Sequence, residues 1–177
     1  MMREKVNKMS LKFISISENE QFARSCIQAF CLPLNPTVSE LSDVKTAVSE
    51  AVTNCIVHAY PGRMGIVSLS AETKNGQIHI TVSDEGNGIE DVSKAVEPFF
   101  TTRPDEERSG MGFTVMKAFM DDVSVVSKLG EGTVVEMTKK FSSYREEIID
   151  RDNAFCENVS EEGSKECVCE SARGENA

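Results

Sequence analysis

Apolar and polar positions alternate around Leu11 and Phe13, which predicts a first strand with one buried face. Ser17 and Glu20 then have the spacing of a capping box, in which a side-chain oxygen meets the free amide of the third helical residue. The helix it opens runs toward Leu32 and ends before Pro33, because the residue before a proline is pushed out of the helical region. A second box, Thr37 with Glu40, starts a longer helix whose apolar positions Leu41, Val44, Val48, Val52, Cys55 and Ile56 recur at three- and four-residue spacing. It should stop by Tyr60, just ahead of Pro61 and Gly62. Strands follow at residues 66–71 and 78–83, joined by a turn at Lys74-Asn75-Gly76. A short helix near 92–96, an amphipathic helix from about Gly110, and strands at 123–127 and 133–138 around Gly130-Glu131-Gly132 complete the pattern. This order predicts an α+β fold, a two-layer α/β sandwich in which a mixed sheet is covered on one face by helices.

Composition adds limits. The 177 residues suffice for one ordinary domain and a tail. We divide them into an N-terminal arm (1–10), a folded domain (11–140) and an acidic tail (141–177) expected to be disordered and dispensable. The tail holds ten acidic and four basic residues, and so −6 of the chain's net −10. That sign argues against duplex DNA as the main partner. There is no apolar run of membrane-spanning length and no signal-type stretch after Met1 to Leu11, so no membrane partner and a cytoplasmic location are expected. Cys26, Cys31 and Cys55 fall in apolar helical segments and read as reduced core thiols, while Cys167 and Cys169 lack the two-residue spacer of zinc and redox motifs.

Three constellations carry possible chemistry. Glu50 and Asn54 lie one turn apart on the more polar side of the long helix, where a carboxylate and an amide oxygen suit Mg²⁺ ligation and proton acceptance. Taken alone, the pair reads as an ordinary solvated helix face, because Glu-x-x-x-Asn is a common spacing. Asp84-Glu85-Gly86-Asn87-Gly88 leaves a strand, so its glycines let a flat ligand approach the main chain and its carboxylate can accept from an exocyclic amine. In isolation it is a plain turn. Ser109-Gly110-Met111-Gly112 precedes a helix whose free N-terminal amides suit phosphate; without a ligand it is a loop and a cap. Ahead of it, Thr101, Thr102, Arg103 and Arg108 lie in a long polar stretch of the kind that closes over ligands.

In their order and spacing these motifs resemble the GHKL ATPases, the superfamily of gyrases and histidine kinases, and no P-loop is present. The runs from Ser49 to Tyr60, from Pro98 to Pro104 and from Glu107 to Phe113 are similar to those of the anti-sigma F factors of spore-forming bacteria, a likeness that spans about residues 10–140. The resemblance implies a Bergerat-type ATP-binding fold, a cytoplasmic homodimer, ATP with Mg²⁺, inhibition of a sigma factor, and phosphorylation of a serine on a small anti-anti-sigma (STAS-type) protein. By position, Asn54 would hold Mg²⁺, Glu50 would take the serine proton, and Asp84 would bind the adenine amine, with Thr133 supporting that pocket. Gly86, Gly88, Gly110 and Gly112 would open the backbone to the nucleotide, with Thr101, Thr102, Ser109 and Met111 beside it. Arg108 would stabilise charge on the transferring phosphoryl group, and Arg24 would dock a partner, although on sequence alone a solvated surface arginine is the better account of it. A stress-response homologue, a detached histidine-kinase catalytic domain and a nucleotide-gated module without catalysis are the alternatives. His58 and His79 are read as structural or surface residues.

Overall fold

The computed structural model describes residues 6–97 and 111–142. Five strands, β1 (Asn7–Ile14), β2 (Ile66–Lys74), β3 (Gln77–Asp84), β4 (Asp122–Lys128) and β5 (Gly132–Lys140), form one sheet in the order β1-β2-β3-β5-β4. The helices are α1 (Glu18–Cys31), α2 (Val38–Asn54), the short α3 (Val92–Ala95) and α4 (Gly112–Phe119), and a π-helical turn, Cys55–Ala59, continues α2. The α+β class and the single helical layer are as expected. The sheet is not mixed, however: all four of its ladders are antiparallel. Two of them are closed by short turns, which force antiparallel pairing. Asn75 (φ 50°) and Gly76 (φ 74°) supply the two positive φ values that a type I′ hairpin requires.

Alternation sets the two faces. Leu69, Ile78, Ile80, Val82 and Met137 are fully buried beneath the helices, while Ser10, Ser70, Thr81 and Glu136 form one row across the opposite face. Val44, Ala47, Val48, Ala51 and Val52 bury the core side of α2, which packs against both α1 and α4. Each fully buried valine or isoleucine contributes about 1.5–3 kcal/mol relative to an exposed one. At the open end of the core, Lys139 Nζ reaches Asp43 Oδ2 of α2 (3.2 Å) and the Phe119 carbonyl of α4 (2.6 Å), tying the last turn of α4 to α2 and β5.

The two capping boxes have different outcomes. Thr37 is extended (φ −66°, ψ 160°) and both of its reciprocal bonds with Glu40 form. Ser17 is already helical (φ −59°, ψ −34°) and makes no side-chain cap. Glu20 instead accepts from Ser49 Oγ of α2 and stands 3.6 Å from Arg24 Nη1. A cap needs an extended residue to aim its oxygen at the amides; Ser17 does not have that geometry, and Glu20 has a tertiary partner. The folded chain also reaches further than the expected boundaries. β1 starts at Asn7, Phe141 is buried in the core, and Ser142 N and Oγ both bond Glu40 Oε1 (2.7 and 2.8 Å). The remainder of the proposed tail lies outside the described residues.

Candidate functional site

Phe13, Val67, Asp84, Thr133 and Ser127 are consecutive partners across the five strands, one row on the helix-covered face at one end of the sheet. At this end α2 gives way to the π-helical turn. Such turns add a residue to the helical circumference and re-aim the groups that follow. Here the turn ends at Ala59, whose carbonyl accepts from Asn87 N (2.8 Å) and so docks the glycine loop against α2. Gly86 is required by that docking, since a Cβ there would lie 2.2 Å from Ala59 O. Gly88, at φ 67°, is required twice over, because its Cβ would lie 2.1 Å from Lys128 O.

Asp84 is buried, with Oδ1 accepting from Gly86 N at 2.9 Å. The Cys55 thiol hydrogen-bonds the same carboxylate. Burial, and then the charge of Asp84, push the Cys55 thiol well above its usual range, so it remains a protonated donor. Next along the chain, Glu85 N donates to Tyr60 Oη (2.9 Å), which itself donates to Ile66 O (2.7 Å). Burial is the main reason the Tyr60 hydroxyl is held above its ordinary pKa. Ser127 Oγ closes the other side, bonded to Ile89 N, Gly132 O and Thr133 Oγ1 at 2.8, 2.8 and 2.9 Å.

Glu50 and Asn54 stand where α4 begins. A Cβ placed on Gly112, the first residue of α4, would lie 3.1 Å from Glu50 Oε2 and 3.4 and 3.5 Å from Asn54 Nδ2 and Oδ1. The fold therefore gathers a carboxylate, an amide and the start of a helix within van der Waals reach. Asp84 and Thr133 face each other in the adjoining row. Met111 occupies the N-cap position of α4 without a side-chain cap bond and is exposed. Thr101, Thr102, Arg103, Arg108, Ser109 and Gly110 lie outside the described residues, and with them the whole polar stretch expected to close over a ligand. Arg24 on α1 is half-buried beside Glu20, the carboxylate that accepts from Ser49 of α2. His79 is exposed on the open sheet face with Nδ1 3.1 Å from Thr138 Oγ1, and His58 lies in the π-helical turn.

Sequence reasoning did not find three supports of the site. The apolar spacing of Cys55 predicts a core position, which is where it is, but no local signal marks its bond to Asp84. Tyr60 was visible only as the end of a helix. Ser127 occupies an inward position of β4, and a serine where the alternation calls for an apolar residue is the one sequence signal that was available.

The arrangement has known counterparts. Residues 17–139 match the histidine kinase-like ATPase domain family. The anti-sigma F factor of Caldanaerobacter subterraneus subsp. tengcongensis is 58% identical over 133 residues, which are 75% of this chain and 93% of that protein. The anti-sigma F factor of Clostridium acetobutylicum is 54% identical over 136 residues, 77% of this chain and 95% of that protein. In fold alone, the chain is similar to the crystal structure of the RsbU and RsbW domains of Rv1364c from Mycobacterium tuberculosis, with a TM-score of 0.57, 15% identity, and coverage of 76% of this chain and 32% of that one. An ATPase domain of the histidine kinase type is a nucleotide-binding domain, and the donor set gathered here suits one. The chain belongs to the anti-sigma F factor family of histidine kinase-like ATPase domains.

Proposed function

We propose that this chain is an ATP-dependent anti-sigma factor. It binds and inhibits a sporulation sigma factor, and it phosphorylates a serine on a small anti-anti-sigma antagonist. The observation that carries the catalytic part is the position of Gly112 against Glu50 and Asn54, because it puts a helix N-terminus, a base and a metal-type ligand around one small volume. That set fits a triphosphate with Mg²⁺: the absent side chain of Gly112 leaves the room and the α4 amides give the donors. The Asn54 side-chain oxygen would hold the metal, which when bound supplies charge neutralisation at the phosphate oxygens. Glu50 receives the proton of the substrate serine as its Oγ bonds to the γ-phosphorus and the bond to the ADP oxygen breaks. Asp84 accepts from the adenine amine, and Thr133 stands beside it. Gly86 and Gly88 let the base lie against the main chain. Arg108, with Thr101, Thr102, Ser109, Gly110 and Met111, belongs to the same proposal as the phosphate-facing side.

Partner binding completes the reading. Arg24, set by Glu20 on α1, is proposed to dock the partner proteins. A homodimer is proposed as well, supported by the sheet face that no described helix covers, on which Ile14, Ile66, Val126 and Val134 stand exposed. Cytoplasmic location accords with the absence, among the described residues, of any helix long and apolar enough to cross a membrane.

The test is phosphotransfer from Mg·ATP to the antagonist protein of the same genome, read by intact mass. Native protein adds one phosphoryl group to a serine. Glu50→Gln binds ATP with unchanged affinity and transfers at least about a hundredfold more slowly, the usual contribution of a general base. Native-rate transfer by Glu50→Gln removes Glu50 as the base. ATP binding with no transfer by either protein points to a nucleotide-gated module.

A further inference from the structure

The protons around the base end of the site are constrained by the bonds themselves. Ser127 Oγ lies 2.8 Å from Gly132 O, a carbonyl that can only accept, so the serine's one proton is committed there. Ile89 N donates to the same oxygen. The remaining contact, Ser127 Oγ to Thr133 Oγ1 at 2.9 Å, must then run from Thr133 to Ser127. The reverse would leave two oxygen atoms facing each other at 2.8 Å with no proton between them. Thr133 therefore spends its proton behind the site and has only lone pairs left to present. Across the ladder, Asp84 is treated likewise: Gly86 N and the Cys55 thiol both donate into its carboxylate. Thr133 and Asp84 are direct cross-strand partners, so the two acceptors stand side by side.

We propose that Ser127 is a specificity-determining positioning residue for the purine: by fixing the direction of the Thr133 proton, it makes this wall an acceptor-only surface that selects a six-amino over a six-oxo base. The inference rests on the assignment of Asp84 and Thr133 to the base pocket. An exocyclic amine offers two protons to such a wall. A six-oxo group brings a third set of lone pairs to it and is rejected by unpaired acceptors. Ser127 itself does not touch the nucleotide. Its second bond, to Ile89 N, also holds the glycine loop, so a merely structural role would weaken every nucleotide alike.

That difference is what the experiment reads. Calorimetric affinities for ATP and inosine 5′-triphosphate are measured on the native chain and on Ser127→Ala, Ser127→Thr and Asp84→Asn. In Ser127→Ala the Thr133 hydroxyl is free to turn and donate to a six-oxo oxygen while still able to accept from an amine, so the preference for ATP over the inosine nucleotide falls by about tenfold, with most of the change a gain by the inosine nucleotide. Ser127→Thr keeps the hydroxyl and restores the native ratio. An equal loss for both nucleotides in Ser127→Ala, or an unchanged ratio, overturns the proposal. Asp84→Asn separates the two levels. If it collapses the ratio while Ser127→Ala does not, only the role of Ser127 fails; if neither changes it, the base-pocket assignment fails too. Should Ser127→Ala not fold, as judged by thermal melting, Thr133→Val gives the same reading: loss of the acceptor lowers the ratio, and an unchanged ratio overturns the proposal.

Discussion

Replacing Gly112 by alanine separates what stabilises the fold from what the site needs. Gly112 has no positive φ, so alanine adopts its backbone without strain. As the first residue of α4 it is a costly choice for the helix, since glycine is about 0.8–1 kcal/mol worse than alanine in a helix interior and somewhat less so at the first turn. Local energetics therefore predict that Gly112→Ala is neutral or stabilising by a few tenths of a kcal/mol. The new methyl meets Glu50 Oε2 at 3.1 Å and Asn54 at 3.4 and 3.5 Å, and the Glu50 side chain can yield the few tenths of an ångström required. The same methyl fills the space between α4 and these two side chains, where the proposed phosphate and metal ligands converge. ATP affinity should fall by at least about tenfold, roughly 1.4 kcal/mol. Thermal unfolding without ligand and calorimetric titration with Mg·ATP measure the two effects on one preparation. Unchanged or raised Tm with weakened binding is the expected pair. Native affinity in a folded Gly112→Ala protein would refute the placement of phosphate at the start of α4. A lowered Tm would instead show that Glu50 cannot give way.

Two further substitutions test the frame. Glu40 takes Thr37 N and Oγ1 on one carboxylate oxygen and Ser142 N and Oγ on the other. Burial raises its pKa, but the hydrogen bonds from Ser142 and Thr37 outweigh that and hold it at about 2. With the folded value below the unfolded one, this stabilisation is complete above the ordinary glutamate range near 4.5 and is lost as pH falls toward 2. The side chain is partly open to water, so the discounted effect is about 1 kcal/mol. Glu40→Gln should lower Tm by roughly 3–4 °C at pH 7 and by progressively less as pH falls below that range, measured by melts across pH; an equal loss at pH 7 and pH 2.5 would refute the charge-based account. Tyr60→Phe strips a buried hydroxyl from Glu85 N and Ile66 O and should cost about 2–3 kcal/mol by denaturant titration, with weaker ATP binding because Glu85 follows Asp84. Native stability in that variant would mean that water replaces the hydroxyl.

Much of this molecule could be read from local pattern, and the exceptions share a cause. The periodicity of α2, the Thr37 box and the Asn75-Gly76 hairpin are specified within a few residues, and each forms where the pattern predicts. The pair Glu50 and Asn54 was legible as a shared helix face because four residues make one turn. What it faces is implied by the family resemblance but not by spacing, because Gly112 lies far along the chain and reaches the pair only through the packing of α4 on α2. The Ser17 box failed for the same reason: Glu20 bonds Ser49, a residue of another helix, and local spacing cannot see that competitor. Strand ends were underestimated where polar residues such as Thr73 and Lys139 break the alternation, although the ladder continues through them.

The antiparallel sheet follows from connections rather than residues. Two hairpins alone fix two of its ladders, and the chain between β1 and β2 spends both long helices on one face before returning alongside its starting strand. The π-helical turn is the clearest of these non-local effects. Nothing in Cys55–Ala59 announces it, yet it brings the Ala59 carbonyl to Asn87 N and the Cys55 thiol to Asp84. An α-helical continuation would turn these groups by a different angle and withdraw one donor from the carboxylate. The residues that meet a ligand in such a site are thus set by motif, and their orientation is set by backbone irregularities and by hydroxyl and thiol groups one layer behind. Cys55, Tyr60 and Ser127 belong to that layer, and substitutions there should change discrimination and loop order before they change the presence of the site.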